Sequence, residues 1–210
     1  MSKQPYHHGD LKNALIAAGI DVLAEEGVRG LSLRKVAQRA GVSHAAPYAH
    51  YADKQALIAA ISTEGYRRLY ERLRAVGERY PGDPLRQLVE GAWAYVQFAL
   101  QEPDHFRITF SGAIEMEQAY PAFVEMSSKS FALVVEIVAA CQAAGVLKPG
   151  PPELLTVSVW GLVHGLVSLL LEGQISHTIR EQHAPRELLI AALSQILLVE
   201  LTPAMVSEQD

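Results

Sequence analysis

The sequence predicts an all-α protein in two parts, a small three-helix domain followed by a larger helical one. Three observations carry this. The helix formers Ala, Leu, Glu and Gln are plentiful, and no segment alternates apolar with polar residues in a β-branched setting. Apolar residues recur instead at intervals of three and four, the spacing of one helix face. Two clusters, Pro81-Gly82-Asp83-Pro84 and Lys148-Pro149-Gly150-Pro151-Pro152, then cut the pattern into segments. With 210 residues, half of them apolar, the chain is long enough to bury a core in each part.

The first helix is predicted from near Asp10 to Glu26. Leu11, Leu15, Ala18, Val22 and Leu23 form its inward stripe, Asp10 suits its positive end, and Gly27 supplies the stop. The loop from Val28 lets Leu31 and Leu33 close a small core. Ser32 to Ala40 reads as a second helix, with Leu33, Val36, Ala37 and Ala40 on one face and Arg34, Lys35, Gln38 and Arg39 outside. Gly41 ends it, because the turn there needs positive φ, and Val42 folds back as the buried residue. Ser43 is expected to cap a third helix, His44 to Tyr51, by accepting a backbone N–H. Helix, glycine turn, capped helix is helix-turn-helix grammar.

A fourth helix starts at the N-cap Asp53 and runs through Leu57, Ile61, Leu69 and Leu73 toward Tyr80, long enough to belong to both parts. Past the first break a helix fits Pro84 to Gln101, with Leu85, Leu88, Val89, Trp93, Val96 and Leu100 inward. Pro103 interrupts, and a short helix carries His105, Phe106 and Phe110. Tyr120 to Ala144 is a long helix ended by Gly145. Glu153 to Gly173 and Arg186 to Leu201 are the last two helices, joined by a polar loop containing His177 and His183.

Charge is unevenly divided. Residues 1–54 carry a balance of +2 and residues 55–210 a balance of −7, within a net charge of −5. The asymmetry has the direction that phosphate attraction requires, which is a local positive face rather than a basic whole. The single cysteine, Cys141, has no internal disulfide partner and reads as a small core residue in a reducing cytoplasm. The opening residues MSKQPYHHGD are polar where a secretory signal needs an apolar stretch. Leu154 to Leu171 lacks charge over 18 residues, but Thr156, Ser158, His164, Ser168 and two glycines favour a buried helix over a membrane span. No cofactor, metal or enzymatic activity is expected. His7, His8 and Asp10 lack a fourth ligand, Asp104 and His105 stand alone as an acid/base pair, and no HExxH, P-loop, dinucleotide fingerprint or nucleophile elbow occurs.

Ser32-x-Arg34-x-Val36-Ala37-x-x-Ala40-Gly41-Val42-Ser43, followed by Tyr48-x-His50-Tyr51 and Lys54 before a new apolar helix, resembles the DNA-binding domain of the tetracycline repressor (TetR) family. The match runs from about Tyr6 to Leu57. Val159-Trp160-Gly161-Leu162-Val163-His164-Gly165 is similar to the Trp-His-Gly-containing C-terminal domain of one branch of that family. The resemblance implies a transcriptional regulator, usually a repressor, with a helix-turn-helix DNA-binding domain at residues 1–54 and a helical ligand-binding and dimerisation domain at residues 55–210. It implies release from a palindromic operator when a small molecule binds among the C-terminal helices. A DNA-binding protein without an inducer, architectural or partner-controlled, is the alternative.

Chemistry assigns the DNA contacts. The fork of Arg34 suits guanine O6 and N7, and His44 is the one long polar group near the tip of the third helix. Ser43 and nearby N–H groups suit a phosphate oxygen, Ala45 and Ala46 are small enough to approach a thymine methyl, and Tyr48, His50 and Lys54 are the expected phosphate clamps. Lys3, His7 and His8 would add contacts from an arm. Each has a plainer alternative: Tyr48 could pack on the first helix, Arg34 could be a solvated charge, and His50 could pair with a carboxylate. Pro47 departs from the family pattern and biases Ala46 away from α geometry. Trp93, Gln97, Phe106, Phe110, Met126, Phe131, Trp160 and His164 are candidate walls of a pocket for an apolar or aromatic ligand, although ordinary core is the alternative for each. The helices near 153–173 and 186–201 are apolar on too many sides for one surface. A homodimer through a four-helix bundle would cover them, and a thick core within a monomer is the alternative.

Overall fold

The structure is a computed structural model that describes residues 8–201, with side chains from Leu11 onward. Lys3 and His7 lie outside the described residues. The described part is all-α: α1 (His8–Gly30), α2 (Leu33–Arg39), a 3-10 turn (Ala46–Ala49), α3 (Lys54–Arg79), α4 (Pro84–Gln101), α5 (Pro103–Thr109), a second 3-10 turn (Glu117–Ala119), α6 (Pro121–Ala143), α7 (Pro152–Leu171), α8 (His177–Gln182) and α9 (Pro185–Ser194). In α1 the helix is interrupted at Gly27 (φ 67°), the position where the sequence placed its stop. Asp53 caps α3 by accepting the Ala56 N–H at 2.8 Å, and Asp83 caps α4 through the Arg86 N–H at 3.0 Å.

Three expectations are corrected. The helix predicted over His44–Tyr51 is a single 3-10 turn, whose cap position is Ala45 and has no side-chain cap. The stretch between α7 and α9 is not all loop, since Ser176 accepts the Ile179 N–H and starts the short helix α8, which includes His177. The final helix stops at Ser194 rather than Leu201, because Leu197 forms an antiparallel bridge with Leu147 and the Leu198 N–H donates to the Val146 carbonyl at 2.9 Å. That long-range pairing outcompetes continuation of the helix.

The chain packs as two units, residues 1–67 with 104–127 and residues 68–103 with 128–210. In the first unit Leu15, Val22, Leu31, Leu33 and Val36 share a core with Leu57, Ile58 and Ile61 of α3 and with Ile108, Ile114 and Phe123 from the later segment. Leu57, Ile58 and Ile61 are wholly buried, and each such side chain stabilises by about 1.5–3 kcal/mol. The joint between α3 and α5 is close. His105 Nε2 lies 2.9 Å from the Ile61 carbonyl, and Thr109 packs directly over Gly65.

In the second unit Leu88, Ile137, Val138, Cys141, Val146, Leu147, Leu155 and Val159 form a core. Cys141 donates its S–H to the Pro84 carbonyl, and burial pushes its thiol up to about 12. The inward face of α4 is wider than its spacing indicated. Ala94, Tyr95, Phe98 and Ala99 are buried, whereas Trp93 is half-buried and Leu100 exposed. Helix α7 packs on α4 and α9 through Leu155, Val159, Val163 and Val167, four residues spaced by one turn. Its other face stays open in one chain, with Leu154, Val157, Trp160 and Leu169 exposed. Among the described residues α7 is also the helix long and apolar enough to cross a membrane, with a mean hydropathy of 2.0.

Candidate functional site

Local bonds shape the segment from Ser32 to Lys54. Ser32 Oγ accepts the Lys35 N–H at 3.3 Å and opens α2. At the other end Val42 N–H donates to the Ala37 carbonyl at 3.0 Å and Gly41 N–H to the Gln38 carbonyl at 3.2 Å, the two bonds of a Schellman turn. Gly41 sits at φ 68°, and a Cβ there would meet nothing within 4 Å, so backbone conformation and not space calls for glycine. The chain then turns tightly. Ala46 N–H donates to the Ser43 carbonyl at 3.0 Å, Tyr48 N–H to the Ala45 carbonyl at 3.2 Å, and both His50 and Tyr51 N–H to the Pro47 carbonyl at 2.9 Å. Pro47 is buried near the start of the turn and brings no N–H, and the Ser43 carbonyl is taken by the Ala46 N–H in i to i+3 bonding.

This turn sets out the proposed DNA contacts. Arg34, Ser43, His44, Ala45 and Tyr48 are exposed, while Ala46, His50 and Lys54 are half-buried. Tyr48 is 61% exposed, so it does not pack on α1. Its neighbour Tyr51 is the inward residue, in the core of the first unit, where burial pushes its hydroxyl up to about 12. His50 lies beside the Tyr51 ring, with centroids 6.3 Å apart, and among the described residues no carboxylate pairs with it. Lys54 is the first residue of α3. The cations of α2 differ from one another. Lys35 is paired with Glu26 and Arg39 with Glu25, whereas Arg34 has no ion pair among the described residues.

The candidate ligand residues fall in both units. In the first, the Phe106 and Phe110 rings are 4.8 Å apart, Tyr66 stands edge-on to both Phe110 and Phe123, and Met126 is half-buried. In the second, Trp160 Nε1–H donates to Tyr95 Oη at 3.2 Å, and Tyr95 Oη lies 2.7 Å from His164 Nδ1. Desolvation lowers the pKa of His164 below the ordinary imidazole value. Trp93 faces the Arg186 guanidinium, 5.3 Å from its ring centre, and Arg186 is held by both oxygens of Glu90 at 2.6 and 3.3 Å. Gln97 and Phe131 are half-buried. Sequence reasoning missed Tyr66, Tyr95, Glu90 and Arg186, whose partners lie far along the chain. It also missed a groove of about 320 Å³ in the second unit, lined by Leu73, Arg74, Gly77, Glu78, Gln87, Leu133, Glu136 and Ile137, which none of the eight candidates borders. Asp104 lies 3.5 Å from Arg107, and among the described residues no three His, Cys, Asp or Glu side chains cluster as metal ligands.

Known proteins match both halves of the chain. Residues 15–61 match the family model of bacterial regulatory proteins, tetR family, and residues 88–193 match that of the tetracyclin repressor-like C-terminal domain. The tetracycline repressor protein class A from transposon 1721 of Escherichia coli is 36% identical over 110 residues, which are 51% of this chain and 50% of that protein. The match thus spans half the length of that relative. Among solved structures, a protein of unknown function from Rhodococcus sp. RHA1 is 34% identical, with a TM-score of 0.76 over 92% of this chain and 96% of its own. A putative transcriptional regulator from Pseudomonas aeruginosa PAO1 shares the fold at 22% identity, with a TM-score of 0.74 over 90% of this chain and 89% of its own. The sequence and its helix-turn-helix geometry agree with these matches, and the chain belongs to the tetracycline repressor family of bacterial regulatory proteins.

Proposed function

We propose that the protein is a cytoplasmic transcriptional repressor that binds a palindromic operator as a homodimer and leaves it when a small apolar or aromatic molecule binds its C-terminal helices. The observation that carries the reading is the turn after Gly41, which leaves Tyr48 61% exposed beside Ser43, His44 and Ala45 while Pro47 and Tyr51 anchor it inward. Residues 1–54 act as the reading head and residues 55–210 as the sensing and pairing part. Arg34 reads a base, His44 adds a base contact, Ala45 and Ala46 meet thymine methyls, and Ser43, Tyr48, His50 and Lys54 hold phosphates.

Pairing uses the open face of α7 with α9, for which the exposure of Leu154, Val157, Trp160 and Leu169 is the support. Two heads would then meet half-sites about 34–36 Å apart, one helical turn of the duplex. A ligand releases DNA only by binding better to the arrangement of heads that fits DNA less well. The Trp160, Tyr95 and His164 cluster supports a pocket wall in the second unit, and the run Trp160-Gly161 to His164-Gly165 supports a C-terminal part of the Trp-His-Gly branch.

Fluorescence anisotropy on selected and random duplexes tests the head. Tyr48→Phe should weaken both by a similar factor, and Arg34→Ala should lose most of the preference for the selected site. Equal loss on both duplexes for Arg34→Ala would remove its base-reading role. Parent protein that prefers no sequence at moderate salt would undo the regulator reading.

A further inference from the structure

We propose that Glu25 and Glu26 of α1 restrain sequence-independent binding to DNA phosphates by holding two of the three cations of α2 in ion pairs. The inference rests on the DNA-binding reading above and concerns its sequence-independent part.

Helix α2 carries Arg34, Lys35 and Arg39 on its outer face, all exposed. Lys35 Nζ is engaged by Glu26 Oε2. Arg39 is gripped end-on by two bonds, with Nη1 2.9 Å from Glu25 Oε1 and Nη2 on Oε2, and Asp21 stands 3.9 Å from Nη1. Asp21 and Glu25 are one turn apart on α1, so two carboxylates of one ridge face Arg39. The pairing is reciprocal: hydrogen bonding to Arg39 lowers the pKa of Glu25, and hydrogen bonding to Glu25 raises that of Arg39.

Binding to random DNA is driven by cations that replace counterions along the phosphates, so each available Lys or Arg adds affinity on every sequence. A cation already matched by a tethered carboxylate adds little, because a phosphate must displace a partner that never diffuses away. Exposed ion pairs of this kind are weak in water, so their worth here is not stability. They leave Arg34 as the α2 cation without a carboxylate partner among the described residues, and Arg34 is the one placed to read a base. The head then keeps a base-reading cation while its neighbours are neutralised. Grip on phosphates is thereby held down on every sequence.

The test uses the full chain and a random-sequence duplex without any selected site, with anisotropy titrations from 50 to 200 mM salt. Glu25→Gln and Glu26→Gln together should steepen the salt slope by about 0.9 for each freed cation, so that affinity falls about tenfold more over this range than in the parent. Arg39→Gln alone should leave the parent slope nearly unchanged, and added to Glu25→Gln it should abolish the gain from that change. A melting curve for each variant separates these effects from unfolding, and Glu26→Gln alone, acting through Lys35, serves if Glu25→Gln folds poorly. Unchanged slopes in the glutamine variants overturn the inference. A gain from Glu25→Gln that survives Arg39→Gln also overturns it, since simple loss of negative charge would then be the cause. A parent with no affinity for any duplex at 50 mM salt would instead sink the DNA-binding reading itself.

Discussion

Replacing Gly65 by alanine should destabilise the first unit, although alanine is the better helix former. A Cβ at Gly65 would lie 1.9 Å from Thr109 Oγ1 and 3.0 Å from both Thr109 Cβ and Cγ2. Rotating the threonine away breaks its hydrogen bond to the His105 carbonyl at 2.8 Å, in a residue 5% exposed. A buried hydroxyl without that bond costs about 1–3 kcal/mol, and the remaining 3.0 Å contact demands that α5 back away from α3. Against this stands the helix preference of alanine, about 1 kcal/mol. The net expectation is a loss of about 1–2 kcal/mol, or a fall in Tm of roughly 2–8 °C for a chain of this size. Gly77 lies in the same helix with nothing within 4 Å of its Cβ position. Gly77→Ala should therefore raise Tm by up to a few degrees. Thermal unfolding followed by circular dichroism reads both, and a cycle with Thr109→Ala should recover part of the Gly65→Ala loss. If Gly65→Ala and Gly77→Ala shift Tm in the same direction, the proposed steric joint between α3 and α5 is wrong.

Other expectations concern the second unit. Arg186→Ala should cost about 3 kcal/mol, because it leaves Glu90 partly buried without its partner, and Arg186→Lys should not restore the parent Tm since it loses the two-pronged grip and the Trp93 stack. The pKa of His164 is lowered on folding, so the unfolded chain takes up a proton first; stability is complete above about pH 6.5 and declines on acidification below it. In His164→Asn that acid limb of a Tm-against-pH plot should be shallower, and an unchanged limb would assign the decline to other groups. Gly161 has open space around its Cβ position in the single chain. Gly161→Glu should leave the monomer folded yet raise the dimer dissociation constant at least tenfold in sedimentation equilibrium, and an undisturbed dimer would exclude this face of α7 from the interface.

How much was legible in the sequence depended on the range of the deciding interaction. The ends of α3 and α4 follow from Asp53, Asp83 and their neighbouring turns, and the exit from α2 follows from Gly41, because these signals act within four residues. Which of Tyr48 and Tyr51 faces outward was not legible, because both are tyrosines of one short turn and only the packed core decides between them. Pro47 signals a departure from α geometry at Ala46, but the 3-10 turn that results depends on packing that buries Pro47 and Tyr51, which the sequence does not name. Long-range pairing was invisible. Leu147 ends α9 from fifty residues away, Tyr95 meets His164 across 69 positions and Arg186 meets Glu90 across 96. For that reason aromatic residue type alone assembled a pocket list that divides between the two units. The packing boundaries at Arg67, Pro103 and Ser127 were equally hidden, because they fall inside continuous helices or beside a proline whose partner surfaces the sequence does not name.

The most direct measurement is selection of bound duplexes from a random pool by the full-length protein, sequenced over successive rounds at moderate salt. A pairing DNA-binding regulator should enrich a palindrome whose half-sites lie one helical turn apart, about 34–36 Å, and Arg34→Ala should blur a fixed position within each half-site. Recovery of no shared sequence, with parent and Arg34→Ala pools alike, would contradict the account.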